Sequence, residues 1–482
     1  MRSYASRRSP LKGALAALFA CLLALAFASP AQAGRFEAGS FTAHATNVDP
    51  TPGTVSFQQT FDVPPIVVVL NDNSGSDPAV TRITNITTTG FDELTLEPSP
   101  DGPHAAMTVH YIAIEPGRHV LPGGQIVEAG TSSISNVQHG NGVTGPRSWG
   151  AATFSPALPS TPSVIAQIQT ANSETAAVAS VPSLPFITAT IRNLSVTGFE
   201  LALERSEANG GPIPSAETIG WIAFPAGSSG TFPDISSNTI TWSAVNSADN
   251  IRGWDNGCTA NGFGQTSASA IVVATKNRRD GGDGGWLRRC SLSSATIGLT
   301  VDEDTVRDSE RAHTTESASI IAFSQAFHAD LAAELSVVKT WFSSTSTFGD
   351  FNLPEATVEY LITITNTGNA PPNYDSVISI DALPIELALV VSDFSGPGTG
   401  PVQFADGSPA TGLMCSYSSP TSMTDCFDFS TDGSDFTHEP MDSGDGTDPL
   451  ITHIRIRPSG FMEGNTGTGS RQFDFRFRAK IK

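Results

Sequence analysis

Basic residues are scarce: 26 Lys and Arg stand against 47 Asp and Glu in 482 residues, a formal net charge of −21. Nucleic acid and anionic lipid are recognised through Lys and Arg, so this balance argues against both as partners. After residue 33 no apolar run approaches the roughly 20 residues needed to cross a bilayer, and no transmembrane segment is expected. Long stretches of helical periodicity are missing as well. The chain has no nucleophile elbow, no phosphate-cradling Gly loop, no Cys-x-x-Cys zinc pattern and no His-Glu-x-x-His phrase, and its nine histidines are scattered. Cysteine is limited to five residues, and tyrosine to five.

What is present begins with an export leader. Arg2, Arg7, Arg8 and Lys12 precede the apolar run Gly13 to Phe27, and Ala31-Gln32-Ala33 is a small-x-small cleavage site. Ser6-Arg-Arg-Ser-Pro-Leu-Lys12 approaches a twin-arginine signal, but Pro10 stands where an apolar residue is expected, and a general secretory signal fits better. The mature chain is then expected to start at Gly34, with 22 basic residues against 47 acidic ones and no lipid or C-terminal anchor. It is expected outside the cell, at its surface or in the periplasm. Cys21 leaves with the leader, so Cys258, Cys290, Cys415 and Cys426 remain, an even number that suits disulfides in an oxidising compartment.

Gly and Pro make up 77 residues, and short runs of Val, Ile, Thr and Phe bounded by Gly, Pro, Asn and Asp dominate from residue 54 onwards. That pattern predicts an all-β chain of tandem antiparallel β-sandwiches. Asn85-Ile-Thr-Thr-Thr-Gly90-Phe91 recurs as Asn193-Leu-Ser-Val-Thr-Gly198-Phe199 and, more faintly, as Ser293-Ser-Ala-Thr-Ile-Gly298-Leu299. The glycines lie 108 and 100 residues apart, a domain-sized period. Each is preceded by an apolar strand, Ile66–Leu70, Val164–Ile168 or Ile271–Ala274, and followed by another, Val109–Ile114, Ile219–Phe224 or Ala318–Phe323. The recurring Gly is expected at a turn that needs positive φ. Asn85-Ile-Thr and Asn193-Leu-Ser fit glycosylation sequons but read as repeat consensus. The expected modules are 34–148, 149–235 and a degenerate 236–330, which puts Cys258 with Cys290 in the third and Cys415 with Cys426 in a separate segment, 331–482. In that segment Val358, Tyr360, Ile362 and Ile364 share one strand face, and Phe473 to Ile481 alternates in the same way.

Pro64-Pro65-Ile-Val-Val-Val, Asn85 to Phe91 and Val109-His-Tyr111-Ile-Ala-Ile-Glu115 resemble the H-type lectin domain, a six-stranded β-sandwich. Residues 151–229 and 269–323 look like further copies. The resemblance implies sugar binding, through an aromatic-His pair before the last strand. This chain departs there, with Glu97-Pro-Ser-Pro-Asp-Gly-Pro-His104 in the first copy and Glu204-Arg-Ser-Glu207 in the second. Val358 to Gly368 is similar to the hallmark strand of bacterial surface domains of unknown function, which implies an immunoglobulin-like display module. The combination resembles proteins grouped with mannose-sensitive haemagglutinin pilus biogenesis.

The expected function is therefore non-catalytic: an exported carbohydrate-binding or adhesion protein, with glycans or cell-surface components as partners and a homo-oligomer possible. The alternative is a structural component of a pilus or envelope without sugar affinity. A glycoside hydrolase is the remote third reading, on the carboxylates Glu97, Glu204, Glu207, Glu217, Asp302, Glu303, Asp304 and Glu316, which look more like salt-bridged strand ends. The candidate ligand site is in the third copy, where Trp254, Asp255, Asn256, Asp280, Trp286 and Arg288 combine aromatic faces with donors and acceptors near a disulfide. The competing reading is that the tryptophans cap the sandwich core. No cofactor is expected beyond calcium at Asp442, Asp445 and Asp448, a run that also reads as an ordinary polar loop.

Overall fold

In a computed structural model, the described residues are 34–482 apart from 47–48, 99–103, 141, 175–184, 206, 208–212, 308, 420–421, 423–424 and 466–468, together with the backbone of Leu23–Ala24. The leader otherwise lies outside the described residues. Leu23–Ala24 pair antiparallel with Ile380–Asp381. The protein is all-β, apart from one 3-10 turn at Trp254–Asn256 among the described residues. Its described residues divide into two compact units, 34–331 and 332–482, the backbone of Leu23–Ala24 going with the second.

The first unit builds one six-stranded antiparallel arrangement three times. In the first copy Gly34–Ala43, Met107–Ile114 and Ile66–Asn71 form one sheet, and Gly53–Ser56, Gly90–Leu96 and Val80–Thr84 the other. Val67, Val69, Ile83, Phe91 and Val109 fill the core between them. The second copy repeats this with Gln125–Ile134, Glu217–Pro225 and Pro162–Ile168 against Gly150–Thr153, Gly198–Glu204 and Thr188–Ser195. The third uses Thr239–Asn246, Ala318–Phe323 and Ile271–Lys276 with Thr259–Gly262, Thr296–Asp302 and Trp286–Leu292.

A further strand joins each copy to the next. Gly117–Leu121 leaves the first copy and pairs with Gln125–Ile134 of the second; Ser228–Pro233 leaves the second and pairs with Thr239–Asn246 of the third. Phe327–Leu331 leaves the third and pairs with Gly34–Ala38 of the first, closing a ring. The module boundaries expected at 148/149 and 235/236 therefore move: strands from residue 117 onwards belong to the second sheet, and strands from residue 228 onwards to the third. The repeated phrases begin at the third strand of each sandwich, so they carry no signal for the strands before it.

Ile66–Asn71, Pro162–Ile168 and Ile271–Lys276 meet one another at the centre of the ring. Each is the free edge of its sheet, and each is buried along its whole length. Burial on both faces explains why these strands read as unbroken apolar runs rather than alternating ones. An edge strand presents unpaired backbone groups, which burial makes costly unless they find partners. Side chains of neighbouring copies supply them. Val272 N–H donates to His110 Nδ1 (3.0 Å), Val164 N–H to Ser319 Oγ (3.0 Å) and Ala166 N–H to Thr275 Oγ1 (3.1 Å), while Gln169 Nε2 donates to the Val67 carbonyl (2.9 Å).

The repeated turn has a different logic from the one expected. Asn85 and Asn193 carry the left-handed backbone (φ 50° and 54°), and their amides donate to Asp92 and Glu200 (2.8 Å each). The glycine is required for space. A Cβ on Gly90 or Gly198 would stand 2.2 Å from the carbonyl of Val55 or Ala152 on the adjacent strand, and one on Gly298 would stand 2.4 Å from Cys258 Sγ. Of the three, only Gly198 also has positive φ (149°).

Both expected disulfides are present, Cys258–Cys290 (Cα–Cα 5.8 Å) and Cys415–Cys426 (5.2 Å). The first joins chain segments on either side of Thr296–Asp302 over Gly298. By loop-closure entropy, the Cys258→Ala/Cys290→Ala variant is expected to lose about 3–4 kcal/mol of unfolding free energy in urea titrations. A loss below about 1 kcal/mol would show that the bond constrains the unfolded chain little.

The second unit is a sandwich of its own. Leu335–Thr345, Thr357–Asn366, Arg471–Ile481, Leu387–Val390, Val402–Asp406 and Thr447–Asp448 form one sheet; Ser379–Ala382, His453–Ile456 and Phe427–Ser430 form the other, which Leu23–Ala24 also joins. Phe473, Phe475, Phe477 and Ala479 are fully buried opposite Ile454 and Ile456, as the alternation predicts.

Candidate functional site

The six residues expected to form a ligand site are placed in three different environments. Trp254, Asp255 and Asn256 share the 3-10 turn. The Trp254 ring is half-buried under the Arg311 guanidinium (4.0 Å from the ring centroid), with Arg288 at 5.4 Å. Asp255 Oδ2 accepts from Arg311 N–H (2.7 Å) and Asn256 Oδ1 from His313 N–H (3.1 Å), so both anchor the neighbouring segment. Trp286 is buried where the three copies meet: its Nε1 donates to the Ala79 carbonyl (2.9 Å) of the first, and its ring packs on Phe186 (4.9 Å) of the second. Arg288 is fully buried and reaches the carbonyls of Asp72, Ser74 and Asp77 in the first copy as well as Asp302. Asp280 lies on a third loop, paired with Arg278 (3.0 Å). Trp286 thus offers no face to a ligand, and Trp254 only part of one.

The repeated carboxylates are joints. Glu204 of the second copy pairs with Arg279 of the third, and Asp304 of the third accepts from Glu207 N–H of the second (2.8 Å). Asp302 lies between Arg288 and Arg311. Glu217 accepts from the backbone of Asn172 and Ser173, and Glu316 does the same for Asp280 and Gly281. Glu303 and Glu316 flank His313, which burial alone would hold neutral; the two hydrogen bonds outweigh that and raise its pKa. Glu316 is drawn down to about 2 despite burial, by Lys276, His313 and the two backbone N–H groups.

The aspartates proposed for calcium turn into their own loop. Asp442 Oδ1 accepts from Gly444 and Gly446 N–H, Asp445 Oδ1 from Ser443 and Thr447, and Asp448 Oδ2 from His438 Nε2 and Met441 N–H. Among the described residues no group of three or more His, Cys, Asp or Glu is arranged to hold a metal ion.

The sequence reading missed a groove of ≈ 750 Å³ on the first copy. Strand Gly34–Ala43 and strand Gly53–Ser56 form its walls, with Phe41 and Val55 as half-buried apolar surface, Tyr111 buried behind them, and Ser40, Thr42 and Thr54 exposed along it. Inside, Glu93 is 4% exposed. Its Oε1 accepts from His44 Nδ1 (2.6 Å) and His44 N–H (3.3 Å), and its Oε2 has no hydrogen-bond partner. His44 Nε2 reaches the Asp49 carbonyl (2.8 Å). Burial opposes charge on His44, but the Glu93 hydrogen bond outweighs it and raises the pKa, and both ring nitrogens face oxygen acceptors. Gly53 makes room for the pair, since a Cβ there would stand 2.4 Å from Glu93 Oε1. Below it Tyr111 donates its hydroxyl to Glu37 (2.5 Å).

The other copies show what the fold requires at this position. Glu93 lies three residues after Gly90 and opposite Ile83; Leu201 lies three after Gly198 and opposite Ile191, and Val301 three after Gly298 and opposite Leu287. Leu201 and Val301 are fully buried core residues. A buried carboxylate with an unpartnered oxygen is costly. The other two sandwiches do without it. Aligning Phe91-Asp-Glu-Leu-Thr with Phe199-Glu-Leu-Ala-Leu would have exposed the misplaced charge in the sequence alone. No known protein family, curated protein or solved structure matches the chain.

Proposed function

We propose that the chain is an exported, non-catalytic carbohydrate-binding protein working in adhesion, and that the first-copy groove is its binding site. Two disulfides, and the absence among the described residues of any helix long and apolar enough to cross a membrane, are compatible with export. The observation that carries the reading is Glu93 in its groove, a buried acceptor beside aromatic surface and exposed hydroxyls, at a position filled by Leu201 and Val301 in the other copies. Apolar surface with a few fixed polar groups suits a sugar ring, which presents C–H faces and hydroxyl donors. The resemblance of the repeated sequence phrases to H-type lectins points to the same class. A glycan array probed with the mature chain tests it. Binding is expected to disappear in Glu93→Leu, which the other copies show the fold accepts, with stability unchanged or raised by up to about 3 kcal/mol. Trp254→Ala should bind normally. Loss in Trp254→Ala alone would move the site to the third copy, and no binding by the folded chain would remove the reading.

A structural role in a pilus or envelope is favoured by one feature of the second unit. Leu335–Thr345 is an edge strand, and Val338, Trp341, Phe342, Phe348 and Phe351, on it and just beyond, are exposed. An apolar edge of this length is a surface for pairing with another chain.

A further inference from the structure

Resting on the reading of the groove as a glycan site, we propose that it selects sugars bearing a free, protonated amine over N-acetylated and acidic sugars. Among the described residues, the titratable side chains lining the groove are His44, Asp49, Glu93 and Tyr111, and neither Arg nor Lys is among them. Sugar carboxylates, sulfates and phosphates are ordinarily met by a guanidinium or ammonium donor. His44 cannot serve, because its two ring nitrogens already face Glu93 and the Asp49 carbonyl. An anionic ligand would face two carboxylates, with no Arg or Lys among the described lining residues.

Asp49 gives the selection its sign. It is exposed on the rim, and its Oδ1 accepts from Thr51 N–H (2.9 Å) and Thr51 Oγ1 (2.7 Å), which holds its pKa below the ordinary carboxylate value. Glu93 is taken up by His44, which leaves the negative charge of Asp49 exposed to the groove. An ammonium group meets that charge with a charge-assisted hydrogen bond, stronger than the neutral bond an acetamide N–H would make. The remaining sugar hydroxyls find Ser40, Thr42 and Thr54 along the strands that form the walls.

Calorimetric titration of the mature chain with trisaccharides of glucosamine, N-acetylglucosamine and galacturonic acid at about pH 6, where the amine is protonated, tests this. The glucosamine trisaccharide is expected to bind at least about tenfold tighter than its acetylated form, and the galacturonate not measurably. Asp49→Asn should erase the preference while the neutral sugar still binds, and Glu93→Leu should abolish all binding. Spermidine, which carries the amines without the rings, should bind more weakly than the amino sugar; tighter binding by spermidine would overturn the assignment to sugars. Equal or tighter binding of the acetylated or acidic sugar, lost in Glu93→Leu, would overturn the amine selection and leave the glycan site standing. No binding by any of the sugars would overturn both.

Discussion

Arg288→Met is expected to lower the stability of the ring by about 3–5 kcal/mol, although the two side chains are close in length. Arg288 is fully buried, and its guanidinium spans two copies: Nε and Nη2 donate to the carbonyls of Asp72 (3.2 Å) and Ser74 (2.9 Å), and Nη1 to the Asp77 carbonyl (2.7 Å) and Asp302 Oδ2 (2.9 Å). The three carbonyls belong to the first copy and Arg288 to the third. Arg311 reinforces the joint by donating to the Ser76 carbonyl (2.6 Å) while also holding Asp302. Methionine would strand the carbonyls and leave buried Asp302 with Arg311 and the Glu303 N–H, and a buried group without its partner costs its full desolvation. Arg288→Lys is expected to recover only part of the loss, because an ammonium cannot reproduce the planar fork that reaches all four acceptors. Urea unfolding of the three proteins decides it. A methionine variant within about 1 kcal/mol of the wild type would show the loop 72–77 to be held by other contacts.

How much of this was legible beforehand depended on distance along the chain. Period-2 alternation located Thr357–Asn366 and Arg471–Ile481, because each strand has one buried and one partly exposed face. The repeated phrase located three sandwiches, because the Asn–acid hydrogen bond and the close approach at the glycine both lie within a few residues of the turn. Ring closure was invisible. Phe327–Leu331 pairs with a strand some 290 residues earlier in the chain, and no local pattern announces a partner at that separation. The same distance hid the surroundings of the candidate ligand residues. Trp286 and Arg288 stood out as an aromatic and a charge near a cysteine, features that suit a ligand and suit a buried joint equally, and only the positions of Ala79, Phe186 and Asp72 decide between them. Glu93 was legible in principle, since it breaks an apolar column that the chain itself writes out three times, but acidic residues are so common here that one more raised no signal.

Acid should loosen the ring in part through His110, which joins two copies. His110 lies in the last strand of the first copy, 6% exposed, and its Nδ1 accepts the backbone N–H of Val272 on the central strand of the third copy. Burial, with the nearby Arg289 charge, lowers its pKa from 6.5 to about 4. The folded state therefore holds His110 neutral, and a lone pair on Nδ1 is what the Val272 contact requires. In the unfolded chain the same residue titrates near its ordinary value. A base whose folded pKa is depressed contributes stability that is complete above about pH 6.5 and is lost as pH falls through about 4. Over that window the loss amounts to about 3 kcal/mol, from the size of the shift. Ser319, the position equivalent to His110 in the third copy, accepts Val164 N–H without titrating, which shows that the contact itself does not call for a histidine. His110→Gln keeps an acceptor and removes the proton. Its unfolding free energy, followed in urea between about pH 4 and 7, is expected to fall less steeply than that of the wild type by about 3 kcal/mol over the range. Parallel profiles for the two proteins would mean that His110 is not the group that titrates.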